Sequence, residues 1–136
     1  MSKLNTDVII VGGGLVGATL AALLGKSGIA CIILEAGSKT NQSKAYAADP
    51  RALALTHASR HIFDSINVWS HLPKDRIAYF DGMYVWDENG KGNVEFDSAD
   101  LCQPVLGHIV EQSVLQGTLE LVIDSIPAIK VYHNAG

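Results

Sequence analysis

The chain has 136 residues, with 10 Lys+Arg against 14 Asp+Glu for a formal net charge of -4, and 48% of it is apolar. That length holds about one domain with a sizeable core, and the composition excludes a disordered chain. An acidic balance without a basic stretch argues against a nucleic-acid partner. Two distant cysteines, Cys31 and Cys102, offer neither a disulfide framework nor zinc spacing. They read as packing residues in a reducing, cytoplasmic setting. The apolar run that follows Asp7 is broken by Gly12-Gly13-Gly14, so it is neither a signal peptide nor a spanning helix.

The first element is a strand over Asp7-Val8-Ile9-Ile10-Val11, whose unbroken β-branched run predicts a sheet covered on both faces. A helix follows from about Leu15 to Lys26, rich in alanine and stopped by Gly28. A second strand runs Ile29 to Leu34 and ends at Glu35. Strand, helix, strand in this space is a βαβ unit. Residues 36–48 are polar and aperiodic and predict a loop. Asp49-Pro50 predicts an N-cap with proline at the first helical position, opening a helix to about Ile66 with Leu53, Ala54, Ala58, Ile62 and Phe63 near one face. Met83–Trp86 and Asn93–Phe96 flank the turn-prone residues 87–92, a hairpin signal. A third helix is predicted from about Gly107 to Ser125, and a last strand over Ile129–Tyr132.

The chemistry concentrates in the first unit. Gly12-x-Gly14-x-x-Gly17 sits between a predicted strand and a predicted helix. The first glycine permits a tight turn, the second lets a pyrophosphate approach the backbone, and the third lets helix pack on strand. The helix N-terminus, which begins with Leu15 and Val16, faces the anion. Glu35 ends the second strand, where a carboxylate accepts ribose hydroxyls and repels a 2′-phosphate. These features together point to an adenine dinucleotide. Short-chain NAD(P) enzymes need a Tyr with Lys four residues on, and Tyr46, Tyr79, Tyr84 and Tyr132 are followed there by Pro50, Met83, Glu88 and Gly136.

The run from Asp7 to Gly17, with Ala21, Leu24, Gly28 and Glu35, resembles the amino terminus of FAD-dependent aromatic hydroxylases of the para-hydroxybenzoate hydroxylase type. Asp49-Pro50-Arg51-Ala52-Leu53-Ala54-Leu55 and Leu106-Gly107-His108-Ile109-Val110-Glu111-Gln112 resemble the ubiquinone-biosynthesis branch of that family. The resemblance implies an α/β fold: a partial Rossmann-like FAD-binding βαβ unit with the start of a β-rich substrate domain. Residues 1–70 would form the FAD-binding βαβ unit and following helix, 71–104 the hairpin portion of the substrate domain, and 105–136 the return helix and third strand. It also implies an enzyme that uses FAD, with NAD(P)H as co-substrate and O2, to hydroxylate a polyprenylated phenol or benzoquinol. Such a substrate implies a peripheral encounter with the inner membrane.

By the same resemblance Arg51 contacts the flavin end of FAD or its pyrophosphate, and Gln112 stands where the family places a residue that hydrogen-bonds the cofactor. Gly12, Gly14, Leu15, Val16, Gly17 and Glu35 complete the expected cofactor set. A cation in a first helical turn faces an unfavourable dipole that a nearby anion would offset. The alternative for Arg51 is an exposed side chain paired with Asp49, and for Gln112 an exposed polar helix position. No residue stands out as a catalytic acid or base. His57 and His61 share a helical spacing but lack the glutamate of a zinc hydrolase and a third ligand, so no metal is expected. Trp69, Trp86, Tyr79, Phe80 and Tyr84 would line an aromatic substrate pocket or simply pack the core.

The family's second flavin motif, a Gly-Asp pair, has no counterpart in this chain. The sequence therefore reads as an amino-terminal fragment, inactive alone, that leaves the first strand with an exposed edge and tends to self-associate. Two other readings stay open: a piece of an NAD-dependent dehydrogenase, and an inactive dinucleotide-binding remnant.

Overall fold

The computed structural model describes residues 5–39 and 49–135. Its elements in chain order are β1 (Val8–Val11), α1 (Leu15–Lys26), β2 (Cys31–Glu35), β3 (Ala52–Thr56), α2 (His57–Ser65), β4 (Ile77–Phe80), β5 (Gly82–Trp86), β6 (Asn93–Asp97), β7 (Gly107–Glu111), α3 (Gln112–Asp124) and β8 (Ile129–His133), with short 3-10 turns between. The predicted loop over residues 40–48 lies outside the described residues.

The βαβ unit forms as expected. β1, β2 and β8 make a parallel sheet in the order β1-β2-β8, with Ile10 beside Ile33 and Ile33 beside Val131. The small residues of α1 explain its approach to the sheet: Ala18, Ala21 and Ala22 are buried, and a side chain at Gly25 would collide with Ile129 and Ile126. Gly28 ends the helix in the left-handed region at φ 80°, where glycine pays no steric penalty.

The expectation of a sheet covered on both faces holds at β2, where Cys31, Ile32 and Ile33 are all buried, and is corrected at β1. Ile10 packs inward under α1, but Ile9 and Val11 point away from it and are 60% and 84% exposed. Among the described residues no strand pairs with the outer edge of β1.

Two predicted helices are also corrected. The segment from Asp49 is not helical at its start: Ala52–Thr56 is strand β3, and the helix begins only at His57, capped by the Thr56 hydroxyl, which accepts from the Ser59 amide. Likewise Gly107–Glu111 is strand β7, and α3 starts at Gln112. β7 is the central strand of an antiparallel sheet ordered β3-β7-β4, and Leu53 pairs with Val110 across it. Alanine and leucine favour helix weakly, and strand pairing outweighs that preference. Asp49 still caps a helix, but a distant one: its carboxylate accepts the Ser113 amide at 3.1 Å, at the start of α3.

The core is continuous. α3 contributes the fully buried Leu115 and Leu119 to one cluster that also holds Ile10, Ala18 and Ile33 of the βαβ unit and Leu55, Phe63 and Val110 of β3, α2 and β7. The hairpin β5–β6 forms in the predicted place, with Val85 opposite Val94, and every residue of both strands is exposed.

Candidate functional site

The glycine loop takes its shape from local constraints. Gly12 has φ 98°, which a residue with a Cβ rarely adopts, and its amide donates to the Leu34 carbonyl at 2.8 Å. A Cβ on Gly17 would lie 2.0 Å from the Gly12 carbonyl oxygen, so α1 can start only where that glycine stands. Gly14 is the N-cap residue of α1, no side chain caps that helix, and a Cβ there would meet nothing within 4 Å. The N-terminus of α1 thus adjoins open space at Gly14.

Glu35 closes the arrangement from the end of β2. One carboxylate oxygen accepts the Gly13 amide, and the other accepts the Gly37 amide at 2.7 Å. These two amides, Gly37 foremost, hold the Glu35 carboxyl below the usual carboxylate range, with His133 adding to the effect. It is therefore ionised at neutral pH. His133 follows from strand register, because β8 places it directly beside Glu35.

A cleft of about 260 Å³ lies above these groups, lined by Gly13, Gly14, Glu35, Gln112, Gln116 and His133 among others. Gln116 ties α3 to the loop: its amide nitrogen donates to the Gly13 carbonyl at 3.0 Å and to Glu120 at 3.1 Å. Lys39 pairs with Asp124 at the same cleft. His133 Nδ1 is buried there and has no hydrogen-bond partner among the described residues.

The structure brings some expected residues together and separates others. Gly14, Glu35 and Gln112 share the cleft. Gly12 and Gly17 shape its loop from beneath. The side chains of Leu15 and Val16 line a different space, an apolar groove of about 390 Å³ against Leu53, Leu55 and Phe63. Arg51 is outside the cleft lining; its side chain is 71% exposed and its Nε meets Asp49 at 3.2 Å. It precedes β3 rather than occupying a helical turn, so the dipole argument made for its own helix does not apply. Arg51 nevertheless adjoins the N-terminus of α3, because the Gln112 amide donates to its carbonyl at 2.9 Å.

Gln116, Glu120 and Asp124 were not anticipated as part of the site. With Gln112 they recur every fourth residue along α3, opposite the buried Val114, Leu115 and Val122. That polar stripe was a readable signal.

The aromatic residues do not converge. Trp69 packs edge-on to His108 with Arg60 over its ring, Tyr84 stacks on Trp86 on the exposed hairpin, and Tyr79 is 71% exposed. His57 Nε2 contacts the Val105 carbonyl at 2.8 Å. No group of three metal-binding side chains occurs among the described residues. Among the same residues no helix is long and apolar enough to cross a membrane.

Residues 5–128 match the FAD binding domain family. The chain belongs to that family. Among its curated relatives is 3-demethoxyubiquinol 3-hydroxylase of Escherichia coli, 30% identical over 129 residues, a match covering 95% of this chain and 33% of that protein. The mitochondrial ubiquinone biosynthesis monooxygenase COQ6 of Drosophila melanogaster is 30% identical over 136 residues, covering 95% of this chain and 28% of the relative. Among solved structures, p-nitrophenol 4-monooxygenase PnpA from Pseudomonas putida DLL-E4 superimposes with a TM-score of 0.70 at 22% identity, covering 95% of this chain and 32% of that one. The chain spans about a third of the length of these relatives.

The residues of this FAD binding domain chain fit the cofactor that the family takes. Gly14 leaves open space through which a phosphate would approach the backbone. Each Glu35 oxygen has one protein donor and keeps a lone pair for a ribose hydroxyl.

Proposed function

We propose that the chain forms the adenosine- and pyrophosphate-binding part of a flavoprotein monooxygenase that hydroxylates an aromatic ring. The substrate class is a phenol or benzoquinol, polyprenylated as in ubiquinone biosynthesis, with NAD(P)H as reductant and O2 as oxidant. One oxygen atom enters the ring and the other leaves as water, as NAD(P)H is oxidised. FAD, when bound, supplies this redox chemistry. The names of the curated relatives support the substrate class, and a peripheral encounter with a membrane follows from a polyprenyl tail.

In this reading the amides at Gly14, Leu15 and Val16 face the pyrophosphate, with Gly12 and Gly17 shaping the loop that lets it approach. Glu35 takes the ribose hydroxyls, and Gln112 and Arg51 serve the flavin side. Residues 71–104, with the exposed hairpin, belong to the substrate side. The observation that carries the reading is the single cleft shared by the glycine loop, Glu35 and Gln112.

The test is titration with FAD followed by flavin fluorescence, with a Glu35→Ala control and NAD as competitor. Saturable FAD binding that the substitution weakens supports the reading. NAD binding without FAD binding overturns it in favour of a dehydrogenase, and no binding of either leaves an inactive remnant.

A further inference from the structure

Behind Arg51 and Gln112 runs a chain of charged groups that the functional reading does not use. Glu111, the last residue of β7, takes both ends of the Arg76 guanidinium, Nε on Oε1 at 2.9 Å and a terminal nitrogen on Oε2 at 2.6 Å. The same Oε2 accepts the Asp49 amide at 2.9 Å. Asp49 Oδ1 accepts the Arg51 amide at 3.0 Å and its Nε at 3.2 Å, and Oδ2 accepts the Ser113 amide at 3.1 Å. The Gln112 amide closes the loop on the Arg51 carbonyl. Residues from before β3, before β4, the end of β7 and the start of α3 thus meet in one network.

Its geometry is specific. A two-pronged guanidinium–carboxylate contact has one planar arrangement, so Arg76 sets the Glu111 rotamer, and Glu111 sets the Asp49 backbone. The side chains of Arg76 and Glu111 are 20% and 25% exposed and that of Asp49 only 8%, so the network is more than a solvated surface pair, which would count for little. None of the three lines the cleft.

We propose that Arg76, Glu111 and Asp49 form a positioning relay that holds Arg51 and Gln112 in place for the flavin-side half of bound FAD. The relay acts through those two residues and does not touch the cofactor. This inference rests on the FAD reading above.

The experiment compares FAD, followed by fluorescence, with AMP, followed by calorimetry, on the whole chain and on Glu111→Gln, Arg76→Lys, Arg51→Gln and the Glu111→Gln/Arg51→Gln double variant. AMP carries only the adenosine end and one phosphate. The relay predicts that Glu111→Gln and Arg76→Lys weaken FAD binding about tenfold more than AMP binding. It also predicts that the double variant loses less FAD affinity than the sum of the two single losses, because Glu111→Gln acts in part through Arg51. Parallel loss of FAD and AMP, or additive losses in the double variant, marks a purely structural staple and overturns the inference. Wild-type FAD binding that the single variants leave unchanged overturns it as well and spares the FAD reading. A wild-type chain that does not take up FAD overturns both. Thermal melts accompany each titration. Should Glu111→Gln fail to fold, Arg76→Lys carries the test, since it keeps the charge and loses the planar fork.

Discussion

The Glu35 carboxylate accepts the backbone amide of Gly13, 22 residues earlier in the chain, and so links the end of β2 to the glycine loop. This contact sets the acid and the loop in place before any ligand arrives. It also keeps the carboxyl ionised, because protonation would forfeit the amide bonds from Gly37 and Gly13.

Glu35→Gln tests that link. A glutamine must turn its NH2 toward one of two amide donors, so the side chain cannot satisfy both Gly13 and Gly37. FAD affinity is expected to fall by about tenfold or more, read by flavin fluorescence. For the wild type, the depressed carboxyl gives a stabilising contribution that is complete above the ordinary glutamate range. It is lost only as pH falls through the lower folded-state value. Melting temperatures of wild type and Glu35→Gln should therefore converge in acid.

Gly17→Ala and Gly14→Ala should separate folding from binding. The first places a methyl group 2.0 Å from a backbone carbonyl and is expected to cost about 3 kcal/mol in denaturant unfolding. The second puts its methyl group in open space at an extended backbone position, costing no more than about 1 kcal/mol as a poorer N-cap. It should nevertheless weaken FAD binding, since the methyl group occupies the phosphate approach.

His108 predicts a separate acid sensitivity. Burial first, then Arg60 and His57, push its imidazole below the ordinary 6.5, with Asp64 opposing. Between the folded and unfolded values the unfolded chain binds a proton that the folded chain does not, so stability drops as pH falls below 6.5. His108→Phe keeps an aromatic ring against Trp69 and should make the melting temperature less sensitive to pH below 6.5.

The outer edge of β1, where Ile9 and Val11 are exposed, predicts self-association. Light scattering behind size exclusion should show mass rising with concentration. Val11→Lys should bring it down toward the monomer.

Legibility followed the range of the determining interactions. The βαβ unit, its glycine turn and the hairpin are specified within a few residues of themselves, and their boundaries lie within two residues of those expected. The helical reading of Ala52–Thr56 and Gly107–Glu111 fails because their strand state rests on distant partners: β3 pairs with β7 across about fifty residues, and β7 pairs also with β4. A side chain at Gly107 would meet the Leu55 carbonyl and the Phe80 ring, a constraint invisible before the partners are known. Asp49 does not cap a helix of its own segment, as Asp49-Pro50 suggests; its carboxylate accepts an amide of a helix that begins 63 residues later, at Gln112.

The sequence by itself determined the glycine turn, the start of α1 and the acid at the end of β2, since these are local features with local physical causes. Only the tertiary structure decided which residues complete the cleft. Gln116 and His133 reach Gly13 and Glu35 because α3 packs through the core and β8 pairs with β2, and no local preference encodes those meetings.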